Sequence, residues 1–160
     1  DGYAFLRKTV DYTHWQSPIL IGRGFAPVVG GDGHRVVVAW VCRSGSTDDW
    51  DILTRRSLNH AGGFGSARTV AEDVRFAFSM PLTSAGGSIA VAWTAASGLW
   101  ISTSVDGRDW DAPTRIEART MHPHGAGMGG GERFWLGYYR RGERFLFRLA
   151  LLGRDPPCSP

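Results

Sequence analysis

Apolar and polar positions alternate along this chain in short runs separated by glycine, proline and small polar residues. Two runs are almost continuously apolar: residues 35–42 (Arg-Val-Val-Val-Ala-Trp-Val-Cys) and residues 88–94 (Ser-Ile-Ala-Val-Ala-Trp-Thr). Runs of that length and β-branched content predict strands covered on both faces. Each carries the same tripeptide, Val38-Ala39-Trp40 and Val91-Ala92-Trp93. Shorter runs predict further strands at 3–10, 17–21, 26–30, 50–57, 67–71, 80–84, 99–105, 113–116, 134–139 and 144–152. Gly22-Arg23-Gly24, residues 43–49 and residues 72–79 read as connections. Gly31-Asp32-Gly33, Gly86-Gly87 and Gly129-Gly130-Gly131 read as tight turns. No long segment keeps a 3.6-residue apolar period with caps at its ends, so no helix is expected.

One turn pattern recurs. Ser104-Val105-Asp106-Gly107-Arg108-Asp109-Trp110 joins two predicted strands. Its aspartate can accept backbone N–H groups across the turn, and Gly107 can adopt positive φ. Trp110 is expected to fold back beneath the hairpin and fill the space there. Thr9, Asp11, Trp15 and Pro18 repeat the hydroxyl–Asp–Trp–Pro spacing, and Ser57, Asn59 and Phe64 form a degenerate copy one residue longer. The copies lie about 46 to 49 residues apart, the mark of a repeat protein. Each unit then reads as a strand starting near a proline, a glycine turn, the Val-Ala-Trp strand, a loop, a third strand, the Asx turn and a fourth strand. Four antiparallel strands per unit predict an all-β chain of propeller blades. The order is two strands, two full units and three strands, about thirteen strands or three blades. Residues 1–152 form the repeats, and residues 153–160, with three prolines, a C-terminal tail.

Composition changes this picture little. Seven Trp and 22 Gly among 160 residues suit an all-β repeat. The net charge is only +3 and the arginines are scattered without a basic stripe, which argues against a nucleic-acid partner. No apolar run approaches membrane-spanning length, so no membrane partner is expected. The chain starts at Asp1 without a signal-peptide pattern, which reads as a mature form or a fragment. Cys42 and Cys158 either form one bridge that ties down the tail or remain free thiols, and no Cys/His cluster suggests a metal. No motif asks for a cofactor.

On these residues the chain resembles the sialidase-like β-propellers that carry Asp boxes, also named bacterial neuraminidase repeats. The match covers roughly residues 4–152, including the strand Trp50-Asp51-Ile52-Leu53-Thr54-Arg55-Arg56-Ser57 that leads into a box. The central copy has Arg108 and Asp109 where the full box carries other residues before the tryptophan, and the middle copy has lost both Asp and Trp. The resemblance implies secretion or an extracytoplasmic location. It also implies that Asp11, Trp15, Asn59, Phe64, Ser104, Asp106 and Trp110 are structural, on the rim opposite a ligand face. Closed propellers use about four to eight blades. Three blades therefore imply either a homo-oligomer, two copies giving about six blades, or the remainder of a longer chain.

Ligand chemistry is expected at the other rim. Arg23, Arg75 and Arg119 each precede the proline slot of a unit, and three guanidiniums about an axis would clamp a carboxylate. His122 and His124 flank Pro123 and point the same way in an extended segment. Trp50, with Phe76 and Phe78, offers an aromatic sugar platform or an inter-blade plug. Sialidases also need a tyrosine with a glutamate and an acid/base aspartate. Tyr138 or Tyr139, Glu132 or Glu143, and Asp48 or Asp49 can be nominated, but their spacing does not mark them, and the Arg-Ile-Pro motif of that family is missing. Three functions follow: a non-catalytic carbohydrate-binding module, a sialidase-type glycoside hydrolase acting on sialylated glycans, or a structural or protein-interaction segment.

Overall fold

The structure is a computed structural model that describes residues 2–32, 34–45, 49–75, 79–118, 127–129, 134–137 and 150–152. Among these residues the chain is all-β, with thirteen strands and no helix. In chain order they are β1 (Tyr3–Leu6), β2 (Ile19–Arg23), β3 (Phe25–Gly31), β4 (Val36–Arg43), β5 (Asp49–Ser57), β6 (Arg68–Arg75), β7 (Leu82–Ala85), β8 (Ser88–Ala95), β9 (Gly98–Ser104), β10 (Thr114–Glu117), β11 (Gly127–Gly129), β12 (Phe134–Gly137) and β13 (Ala150–Leu152). They form four antiparallel sheets of consecutive strands: β1-β2, β3-β4-β5-β6, β7-β8-β9-β10 and β11-β12-β13. The tail and most of the predicted strand 144–152 lie outside the described residues.

The two apolar runs become β4 and β8, each second in a four-stranded meander. Strand side chains alternate between faces, and here both faces are used. In β4, Val38 and Trp40 face the β1-β2 sheet and pack with Ala4 and Ile21, whereas Ala39 and Val41 face the third sheet. In β8, Val91 and Trp93 face back toward the second sheet, while Ala90 and Ala92 face forward with Leu99, Ile101 and Leu136 of β12. The repeated Val-Ala-Trp therefore has one physical meaning. Tryptophan reaches back to the preceding sheet, and alanine leaves room for the side chains of the following one. Trp40 and Trp93 are each 2% exposed. An indole of about 200 Å² removed from water contributes on the order of 5 kcal/mol as an upper estimate.

Trp40 shows how closely the sheets approach. Its Nε1 donates to the Arg23 carbonyl at 3.1 Å, and its ring lies over Gly22. A Cβ at Gly22 would stand 2.7 Å from Trp40 Cζ2, so only glycine admits the indole there. At the other end of the strands the joints are polar. Arg55 and Arg56, neighbours on β5, reach opposite ways. Arg55 Nη1 donates to the Ile21 carbonyl of β2 at 2.8 Å, and Arg56 Nη1 donates to the Asp106 carbonyl and carboxylate at 2.9 Å each. Arg35, held by Asp32, donates to the carbonyls of Val105 and Gly87 in the third sheet.

Three expectations need correction. Arg23 and Arg75, placed in connections by their polar neighbours, are instead the last residues of β2 and β6. β6 runs through Glu72 and Asp73 because register shifts opposite β5 and a positive φ of 52° at Asp73 let an exposed strand continue. Trp15 does not fill a space below its hairpin: it is 53% exposed. Trp110 is partly buried against the core cluster between its own sheet and the second, and donates from Nε1 to Thr54 Oγ1 of β5 at 3.0 Å. Cys42 carries a free thiol, and Cys158 lies outside the described residues.

Candidate functional site

Three turns of one construction cap the strands at one end. In each, a hydroxyl donates to the Oδ1 of the Asx two residues on: Thr9 to Asp11 at 3.1 Å, Ser57 to Asn59 at 2.7 Å and Ser104 to Asp106 at 3.1 Å. The Asx amide donates back to the same hydroxyl in all three, at 3.3, 3.4 and 3.3 Å. Oδ1 then accepts N–H groups from across the turn: Thr13 and His14 in the first, Gly63 in the second, Arg108 and Asp109 in the third. The residue after the Asx has positive φ in every copy, Tyr12 at 62°, His60 at 53° and Gly107 at 75°.

The carboxylates in these turns serve structure. Backbone and side-chain bonds from His14, then the Thr13 amide, hold the Asp11 carboxyl far below the ordinary range. Burial alone would raise Asp106, but the amides of Asp109 and Arg108, the Ser104 hydroxyl and the Arg56 charge together lower it to about 2. A carboxylate so fully bonded is a poor proton donor near neutral pH. Phe64 of the middle turn packs against the cluster that joins the first two sheets.

The opposite end of the strands holds the other candidates. Asp49 pairs with Arg75 in the β5–β6 ladder, and the Arg75 carbonyl accepts the Ala96 amide at 3.0 Å. This bond ties the end of β6 to the β8–β9 turn. Beside it, a cleft of about 680 Å³ runs along β6 toward β8 and β9. Its lining includes Glu72, Asp73, Arg75, Ser97, Trp93 and Trp100. Trp100 is half-buried, donates from Nε1 to Ser97 Oγ at 3.0 Å and carries the Arg115 guanidinium 5.9 Å from its ring centre. The cleft thus sets the half-buried Trp100 indole, paired across the strands with the buried Trp93, among a guanidinium, two carboxylates and a hydroxyl. Stacking surface bordered by convergent polar groups is the usual chemistry of a pocket of several hundred Å³.

Of the predicted ligand residues, Arg75 lines this cleft. Arg23 stands at the equivalent end of β2 but outside the cleft lining. Trp50 is part of the core edge, with Phe25 against it at 4.7 Å in an edge-to-face contact and Arg43 5.6 Å over the ring. Arg119, His122, His124, Phe76, Phe78, Asp48, Tyr138, Tyr139, Glu132 and Glu143 lie outside the described residues. Among the described residues no cluster of three or more His, Cys, Asp or Glu side chains is placed to hold a metal ion. No described helix is long and apolar enough to cross a membrane. Sequence reasoning missed Trp100, Glu72, Asp73 and Ser97. The signal that marks them is the cross-strand pair Trp93–Trp100, two tryptophans seven residues apart around the Ser97-Gly98 turn.

Comparison with protein-family models, with curated proteins and with solved structures finds no match for this chain.

Proposed function

We propose that this chain is part of a sialidase-like β-propeller and serves as a carbohydrate-binding module without catalytic activity, with the β6–β8–β9 cleft as its ligand site. The observation that carries the reading is the half-buried Trp100 indole beside Arg75 in the lining of this cleft, at the strand ends away from the three Asx turns. Sugars present C–H faces that lie on indoles and hydroxyls that bond to carboxylates and guanidiniums, and an acidic sugar adds a carboxylate for Arg75. The sheet order of two, four, four and three strands, each sheet packed on the next, supports blades over a single sandwich.

The test is a titration of the chain with sialic acid and neutral monosaccharides, read by tryptophan fluorescence and calorimetry. Saturable binding that Trp100→Ala and Arg75→Ala each weaken at least tenfold supports the reading. Turnover of a fluorogenic sialoside, lost in Arg75→Ala, would replace it with a sialidase-type hydrolase. Absence of both would leave the structural or protein-interaction reading. The uncovered apolar side chains of β1-β2, Tyr3, Phe5 and Leu20, favour a related proposal about partners. A further sheet of the same build, from a second copy or from the rest of a longer chain, covers that face. A solution mass of twice 17.5 kDa by light scattering would identify the second copy.

A further inference from the structure

The Asx-turn end of the second and third sheets holds a feature that neither the turns nor the β6–β8–β9 cleft explains. Where β5, the segment leading into β6 and the β9–β10 turn meet, a smaller cleft of about 250 Å³ opens to solvent. Three of its six lining residues are arginines, Arg56, Arg68 and Arg108, and the others are Gly65, Ser66 and Gly107. The arginines come from three different segments, so the fold brings them together where the sequence scatters them. The Arg56 fork is held in place by its two bonds to Asp106, while Arg68 and Arg108 are exposed. Asp106 itself is saturated by Ser104, Arg108 N–H, Asp109 N–H and Arg56, so it neutralises one guanidinium of the three. The glycines leave the floor without side chains, and Ser66 adds a hydroxyl.

We infer that this cleft binds an oxyanion, the sulfate or phosphate group of an ester or the free ion. Guanidinium forks match the paired oxygens of such groups bidentately, and like charges gathered around one concavity focus a field that attracts an anion. The volume suits one such group with a small part of its carrier. The site lies at the opposite end of the strands from Arg75 and does not depend on the sugar-binding reading.

The experiment titrates the whole chain with sodium sulfate at constant ionic strength, set with chloride, and follows the amide resonances of Gly65, Ser66 and Gly107 by NMR. Saturable shifts in the millimolar range are expected. Arg68→Gln/Arg108→Gln should weaken binding at least tenfold with an otherwise unchanged spectrum, and Arg75→Gln should leave it unaltered. Parallel arms with inorganic phosphate, galactose 6-sulfate and galactose separate the sources. Tighter binding of the sulfated sugar than of sulfate, with none of galactose, assigns an ester. Equal binding of sulfate and the sulfated sugar assigns the free ion. Shifts that chloride reproduces, or that persist unchanged in the double variant, overturn the inference. So does a spectrum that shows no shift at these residues.

Discussion

Trp110 and Trp15 hold the same place in two copies of one turn, and their surroundings differ completely. Trp110 lies between the second and third sheets with its indole N–H bonded to Thr54, whereas Trp15 is 53% exposed beside a sheet that has no neighbour on that side among the described residues. Tyr3, Phe5 and Leu20 share that exposure, each alternating along β1 or β2 with a covered residue. The turn therefore folds locally, through its own hydroxyl and Asx bonds, but its aromatic residue stabilises the chain only when the preceding sheet is present. The aromatic side chain is a coupling between repeats and not a part of the turn, which is the nearest-neighbour logic expected of repeat proteins.

The largest effect should come from breaking that coupling. Trp110→Ala is expected to destabilise the chain by about 3 kcal/mol, because it removes a partly buried indole and opens a gap between packed sheets. In the chain alone, at concentrations where it stays monomeric, Trp15→Ala should change stability by no more than about 0.5 kcal/mol, as for surface substitutions without partners. Urea unfolding followed by circular dichroism measures both. A cost for Trp15→Ala comparable to that of Trp110→Ala would mean that a second copy or another segment covers the β1-β2 face in solution, and light scattering on the same sample would tell which.

The next effect concerns the residue after the Asx, which has positive φ in all three turns. Only the third turn uses glycine, and the reason is docking. A Cβ at Gly107 would meet Val37 Cγ2 at 2.7 Å and Ile89 Cδ1 at 3.1 Å, so a side chain there strikes both sheets. Tyr12 and His60 keep positive φ outside the sheet interface, Tyr12 with its side chain exposed and His60 with its ring against His34. Gly107→Ala should therefore cost about 2 kcal/mol, through overpacking together with backbone strain. Tyr12→Gly should stabilise by about 0.5 kcal/mol or leave stability unchanged, since it relieves a left-handed residue at the cost of a freer unfolded chain. Equal losses at the two positions would mean that the turns are strained alike and docking is immaterial.

Much of this comparison could be read in the chain. The alternation gave twelve of the thirteen described strands in the right order, all but β11, because apolar runs here are bounded by glycine and polar turns, and Val-Ala-Trp marked β4 and β8. The hydroxyl–Asx spacing marked the turns even where Asn59 and Phe64 replace Asp and Trp. What the pattern could not show was direction. Period-two alternation says that a strand has two faces but not which sheet each face meets, so the bond from Trp110 to Thr54 of the second sheet stayed hidden. Glu72 and Asp73 hid the length of β6, because an exposed outer strand tolerates acidic residues that elsewhere signal a loop. Both clefts stayed invisible for a simpler reason. Arg75 with Trp93 and Trp100, and Arg56 with Arg68 and Arg108, are gathered by sheet packing and share no local motif.

The smallest effect at neutral pH should come from the charge itself. The middle turn holds the same hydroxyl–Asx bonds with a neutral Asn59, so Asp106→Asn keeps the Oδ1 acceptor and loses only the ion pair with Arg56. A half-exposed pair of that kind contributes little in water. Its pH dependence is the sharper readout. The Asp106 carboxyl titrates near 2 in the folded chain against 3.8 ordinarily, so its contribution is complete above 3.8 and is lost as pH falls through about 2. Urea midpoints measured across that window should fall more steeply for the unchanged chain than for Asp106→Asn. Asp11, also lowered, keeps part of the slope in both. Identical slopes would mean that the bonds to the Asp106 carboxylate, from the Asp109 and Arg108 amides, the Ser104 hydroxyl and Arg56, do not hold in solution, and the third turn would then dock through Trp110 and Gly107 alone.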